Sequence, residues 1–142
     1  MTKICSRGIP LPLTAARSGE VRLATRDEID GTLWRMPAER TKTGQPHIVP
    51  LTDEALAVLE RARELTGGEG LIFPGSRSGQ RLSDMTLSKR MKAVGFKGAD
   101  GREEVPHGLR ASFKTWSQDH TEVDPALAER ALGHAVRGDV QK

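Results

Sequence analysis

The 142-residue sequence predicts an α+β fold, mainly helical, in which helices pack around a small three-stranded antiparallel sheet. Two observations carry this expectation. Three short strand-like runs, Asp27–Asp30, Leu33–Met36 and His47–Leu51, fall close together and are separated by turn chemistry. The rest of the chain shows apolar residues at helical spacing, opened by N-cap residues and closed by glycines.

Taken in order, Pro10 and Pro12 exclude a helix running through the first dozen residues. Arg17-Ser18-Gly19-Glu20 reads as a tight turn, and Glu20 to Thr25 as a short helical piece with Val21 and Ala24 inward. Gly31-Thr32 turns the chain between the first two strands. Arg40 to Gln45 forms a polar hairpin tip carrying Lys42 before Gly44. Thr52 caps a helix whose first turn holds Asp53 and Glu54, where carboxylates favour the positive helix end. Leu56, Leu59 and Ala62 share its inner face, and Gly67-Gly68 stops it. Leu71 to Gly75 is a short buried run, and Ser76 to Gln80 a loop. Ser83 caps a helix with Leu87, Met91 and Val94 inward, closed by Gly95. After a polar loop from Lys97 to Glu104, a central helix runs from about His107 to Ser117, with Pro106 at its entrance. Leu109, Phe113 and Trp116 are expected to anchor it. Asp124-Pro125 starts a last helix, with Leu127, Ala128, Ala131 and Leu132 inward and Gly133 at its end.

Composition narrows the function. Charged residues make up 29% and hydrophobic residues 36%, and no apolar run is long enough to span a membrane. Residues Met1 to Leu13 lack the apolar core of a signal peptide, so a cytoplasmic location is expected. The single Cys5 excludes an internal disulfide, and His47 and His120 show no ligand spacing with the other two histidines, so no metal or cofactor is expected. The net charge of +3 tilts the protein towards an anionic partner.

His107 and Arg110 lie three residues apart on one helix face, and Lys114 extends that face. An imidazole, a guanidinium and an ammonium together suit a phosphate. They equally suit a solvated basic helix face. Arg17 is placed either to cap a helix or to pair with Glu20. Lys42 alone reads as a solvent-exposed loop residue, and His134 follows a helix exit.

The order of these residues is more telling than any one of them. Thr14-Ala15-Ala16-Arg17-Ser18-Gly19-Glu20-Val21 comes first, then Thr41-Lys42-Thr43-Gly44 ahead of Val49-Pro50-Leu51-Thr52. Leu71-Ile72-Phe73-Pro74, His107-Gly108-Leu109-Arg110 and Leu132-Gly133-His134 follow. This series resembles the catalytic domain of tyrosine recombinases, above all phage-type integrases of bacterial prophages and islands. The resemblance covers residues 13–142 and leaves 1–12 as an atypical N-terminal segment.

The resemblance implies site-specific DNA integration and recombination by phosphodiester strand exchange, with double-stranded DNA as partner, homo-oligomers on DNA, and a bacterial, nucleoid-associated location. It implies that Arg17 and Arg110 clamp the non-bridging oxygens of the scissile phosphate and stabilise charge that builds in the transition state. Lys42 would protonate the leaving 5′-oxygen. His107 would act as general acid/base or hydrogen-bond the phosphate, and His134 would be a further phosphate donor. Glu20 would support the site by pairing with a cation. In such enzymes a tyrosine attacks phosphorus and forms a 3′-phosphotyrosyl bond, so neither ATP nor metal is needed. This sequence contains no tyrosine. The nucleophile is expected shortly after His134, and the tail from Ala135 to Lys142 holds no Ser or Cys in its place. Cleavage is therefore expected to be lost, as in a truncated gene product or fragment whose exposed apolar surface makes it marginally stable. Arg26 stands where relatives usually carry Trp, and is expected to weaken packing or snorkel to solvent. Two alternatives are a residual non-catalytic DNA-binding or regulatory module and, further off, a small-substrate phosphoryl-transfer enzyme.

Overall fold

The computed structural model describes residues 14–134 apart from 78, 96 and 99. Segment 1–12 and the tail from Ala135 lie outside the described residues. Five α-helices are described: α1 (Ser18–Arg22), α2 (Asp53–Thr66), α3 (Asp84–Val94), α4 (Pro106–His120) and α5 (Pro125–Ala131). Strands β1 (Ile29–Asp30), β2 (Leu33–Met36) and β3 (His47–Pro50) form one antiparallel sheet in the order β1-β2-β3. Trp34 stands opposite Ile29 on one side and Val49 on the other, and Met36 opposite His47.

The sheet buries alternate residues. Trp34 and Met36 of β2 and Val49 of β3 enter the core, while Arg35 and Ile48 stay outside, as the twofold period of a strand requires. Leu51, Ala55 and Ala62 of the following segment, Val21 and Ala24 near α1, and Ile72, Phe73, Leu82 and Leu87 complete the core. Two of the expected caps form through their side chains, while Ser83 stands at the N-cap of α3 with its hydroxyl on that of Thr86 and makes no cap bond. The Thr52 hydroxyl accepts the Ala55 N–H, and the Asp124 carboxylate accepts the Ala126 N–H at 2.7 Å. Gly67 and Gly95 end α2 and α3 with positive φ.

Several local expectations shift. The Arg17–Glu20 turn is the start of α1, which ends at Arg22 and not at Thr25. The first half of the Asp27–Asp30 run belongs to a 3₁₀ turn, Arg26–Glu28, leaving a two-residue strand. Arg40 is not part of an open hairpin tip. It closes a second 3₁₀ turn, Ala38–Arg40, and donates Nε–H and Nη2–H to the buried Glu28 carboxylate at 2.5 and 2.6 Å. Glu28 also accepts the Trp34 indole N–H at 2.9 Å. Val94, Trp116, Leu127 and Ala131 face outward, against expectation.

Trp116 shows why. The buried face of α4 is Pro106, Arg110 and Ser117. Arg110 follows Leu109, so burying it turns the helix by about 100° from the apolar stripe. Leu109 still packs against the core, Phe113 is half-buried and Trp116 is 54% exposed. Arg26 neither snorkels nor simply loosens the core. Its guanidinium donates to the Leu59 carbonyl at 3.2 Å and the Thr66 hydroxyl at 3.3 Å, tying the first 3₁₀ turn to α2. Among the described residues, no helix is long and apolar enough to cross a membrane.

Candidate functional site

Arg17 is the N-cap of α1, and Glu20 sits three residues into the same turn. That spacing lets one carboxylate serve twice: Oε2 accepts the Arg17 backbone N–H at 2.7 Å, and Oε1 accepts Arg17 Nη1–H at 2.9 Å. Of the two readings open for Arg17, the ion pair with Glu20 is realised; Arg17 stands at the N-cap position, but its side chain makes no cap bond. Glu20 is 5% exposed and its partner is partly open, so the pair has one dry side and one wet side. The Glu20 carbonyl is held from behind by Arg40 Nη1 and Nη2, each at 3.2 Å.

Arg110 is the buried centre of the cluster, 4% exposed. Its Nη1–H donates to the Ala15 carbonyl, and its Nη2–H to the Leu132 carbonyl. A third contact joins Nη2 to His134 Nε2 at 3.2 Å. The guanidinium thus staples the turn before α1 to the end of α5. Ala15 has φ of +51°, a left-handed conformation rare without glycine, at the residue whose carbonyl Arg110 grips. Burial above all, then the nearby Arg17 charge, pulls the Arg110 guanidinium below its ordinary range, while Glu20 and Glu129 oppose the shift. It remains a cation, since arginine does not deprotonate in proteins.

His134 is placed by the way α5 ends. Leu132 is the C-cap, and Gly133 follows with φ of +65°. The His134 N–H bonds the Glu129 carbonyl at 2.9 Å, and the Gly133 N–H bonds that of Arg130 at 2.8 Å. This is a Schellman closure, which brings the residue after the glycine back over the last full turn. His134 therefore stands beside Glu129, whose carboxylate contacts His134 Nδ1. The other Glu129 oxygen lies 2.6 Å from Lys114 Nζ of α4.

The sequence-predicted residues divide into two sets. Arg17, Glu20, Arg110 and His134 come together in one cluster. Lys42 and His107 are both exposed, on the β2–β3 connection and in the first turn of α4, and neither forms an ion pair with that cluster among the described residues. Lys114 belongs to the cluster through Glu129, and does not simply extend an open basic face.

Two members, Glu129 and His47, escaped sequence reasoning. His47, at the start of β3, reaches the Ala131 backbone and senses the charges of Glu20, Arg110 and Arg17. Its ring lies so close to Gly133 that a Cβ there would sit 3.3 Å from His47 Cδ2. Burial first, aided by the two arginines, lowers the His47 pKa, against the opposing pull of Glu20 and Ala131. The available signal was strand alternation, which puts His47 on the same face as the buried Val49.

Arg17, Arg110 and Lys114 oppose the carboxylates of Glu20 and Glu129, which leaves one net positive charge among these five side chains. Forked guanidinium donors in such a cluster have the chemistry to bind an anion. Among the described residues, no group of three or more His, Cys, Asp or Glu is arranged to hold a metal.

A family model described as the phage integrase family matches residues 11–142. Prophage integrase IntA of Escherichia coli K12 is 35% identical over 133 residues, covering 92% of this chain and 31% of that protein. The integrase of Enterobacteria phage P4 is 32% identical, covering 91% of this chain and 32% of that protein. The chain thus spans about a third of the length of these relatives. The crystal structure of XerA recombinase superposes with a TM-score of 0.71 at 22% identity, over 89% of this chain and 47% of that one. The Tn1549 transposon integrase, solved with circular intermediate DNA, gives a TM-score of 0.59 at 16% identity, over 94% of this chain and 49% of that one.

Proposed function

The chain belongs to the phage integrase family, and from that premise we propose that its cluster of Arg17, Arg110 and His134 grips a backbone phosphate of double-stranded DNA as part of site-specific recombination. The observation that carries this reading is Arg110, a buried guanidinium anchored on two backbone carbonyls beside a second arginine. The Arg17 and Arg110 charges oppose one another, and Glu20 pairs directly with Arg17 alone, so a further anion between the two guanidiniums would be favourable. A phosphodiester supplies that anion, and its two non-bridging oxygens suit two forked donors. Of the five N–H groups of a guanidinium, three of Arg110 are engaged among the described residues, which leaves two for a ligand.

Lys42 and His107 complete the site from the exposed side. On binding, the β2–β3 connection brings the Lys42 ammonium to the leaving 5′-oxygen, and His107 hydrogen-bonds the phosphate or moves a proton at the attacking oxygen. Glu20 fixes Arg17. The 142 residues contain no tyrosine, so a phosphotyrosyl bond requires a tyrosine from outside them. The chain by itself therefore binds DNA without cutting it, and works beside other copies on DNA in the bacterial cytoplasm.

Fluorescence anisotropy with a duplex oligonucleotide tests this. The expected result is a binding constant that falls steeply with salt, by about 0.9 log units per log unit of salt for each phosphate neutralised. Arg17→Gln should weaken binding on all sequences. No binding at low salt, or binding indifferent to salt, would refute the reading. A nicked suicide duplex should give no covalent protein–DNA band.

A further inference from the structure

We propose that Glu129 is a positioning residue that fixes the tautomer and orientation of His134, with Lys114 as its anchor. The proposal deepens the phosphate-binding reading and rests on it for its functional meaning, but its chemistry is decided by contacts within the protein. Four side chains from two helices and the turn after α5 form one line: Lys114 Nζ, the Glu129 carboxylate, the His134 imidazole and the Arg110 guanidinium.

The two ends of this line admit one proton arrangement. Lys114 and Arg110 are donors only, and an ionised carboxylate is an acceptor only. Glu129 meets Lys114 through Oε1 and His134 through Oε2, so His134 Nδ1 must carry a hydrogen. Nε2 faces Arg110 Nη2 at 3.2 Å, and Arg110 has no acceptor to offer. Nε2 must therefore present a lone pair. The neutral imidazole with hydrogen on Nδ1 satisfies both contacts, and the opposite tautomer fails both.

The backbone makes this pairing a consequence of chain geometry. In a Schellman closure the third residue before the cap and the second after it lie side by side, often as an apolar pair. Here those places hold Glu129 and His134. A glutamate five residues before a histidine that follows glycine is thus set to reach Nδ1.

The assignment gives His134 a specific task before DNA arrives: it accepts from Arg110 and, with the Leu132 carbonyl, aims the guanidinium. To serve as a donor to a phosphate, His134 must take up a proton from solvent at Nε2. Glu129 is placed to stabilise the imidazolium so formed, as a carboxylate behind an imidazole does in hydrolytic triads.

The test is ¹⁵N NMR of the histidine rings in the DNA-free protein, with His134 assigned through loss of its signals in His134→Gln. The wild-type spectrum should show His134 mainly as the Nδ1–H form, and Glu129→Gln should shift it towards Nε2–H. Glu129→Asp, which keeps the charge, should retain part of the wild-type pattern. A wild-type His134 carrying hydrogen on Nε2 would overturn the proposal, even if Glu129→Gln failed to fold. So would a tautomer unchanged in a folded Glu129→Gln protein. Because DNA is absent, these outcomes stand apart from DNA binding: failure of the anisotropy experiment would leave the tautomer result intact, and the reverse holds too.

Discussion

The two halves of the site are built on opposite principles. Arg17, Glu20, Arg110 and His134 are held by carbonyls and carboxylates of the protein itself, whatever binds there. Lys42 and His107 stand in solvent. The held half has its geometry fixed before a ligand arrives, which is what electrostatic stabilisation of a charged transition state requires. On the proposed reading, the free half would supply the proton-moving groups, which need reach more than rigidity. The contrast therefore separates fold stability from ligand chemistry, residue by residue.

Arg110→Met should give the largest effect. It leaves the Ala15 and Leu132 carbonyls without their donor, and each orphaned buried group costs about 1–3 kcal/mol. Urea unfolding should register that loss, and DNA binding should fall with it. A variant as stable as the wild type would show that the held half is not structural.

The acid side of the stability curve should come next. His47 has its folded pKa lowered by burial, so the unfolded chain binds the proton more readily. The stability this neutral histidine contributes is complete above the unfolded value of about 6.5. It is lost as pH falls from there through the lowered folded value. The melting temperature should drop as pH falls below about 6.5, and His47→Gln should flatten that slope. Glu129 acts lower on the scale, since Lys114 and His134 hold its carboxyl below the usual range. Its contribution is present above the unfolded glutamate value of about 4.3 and disappears as pH falls through the folded one. Glu129→Gln should remove that lower inflection.

Lys42→Gln should give the smallest change in stability, within about 0.5 kcal/mol. In DNA binding it should still reduce the salt slope by about 1 if it meets a phosphate. A loss of stability larger than that would move Lys42 to the held half.

Much of the fold could be read from the sequence because its signals are local. Thr52 and Asp124 cap helices through their own side chains, and β2 and β3 alternate in a way that any half-buried strand must. Three of the failures involve arginines that the fold encloses, Arg110 fully and Arg40 and Arg26 in part. Arg110 turns α4 so that Trp116 faces out, Arg40 leaves the hairpin tip for Glu28, and Arg26 bonds α2 instead of reaching solvent. Hydrophobic periodicity treats arginine as an outside residue and cannot register these positions. The site was legible as an ordered set of residues, because the resemblance supplied that order. His47 and Glu129 were not, since each acts through a neighbour: one packs on a glycine, the other orients a ring.

The near-contact between His47 and Gly133 has one more consequence. A left-handed backbone at Gly133 and a ring that a Cβ would meet at 3.3 Å set two separate costs on any side chain there. The second falls on a partner far earlier in the chain, so shrinking the imidazole at 47 should soften a Gly133→Ala replacement without removing its backbone strain.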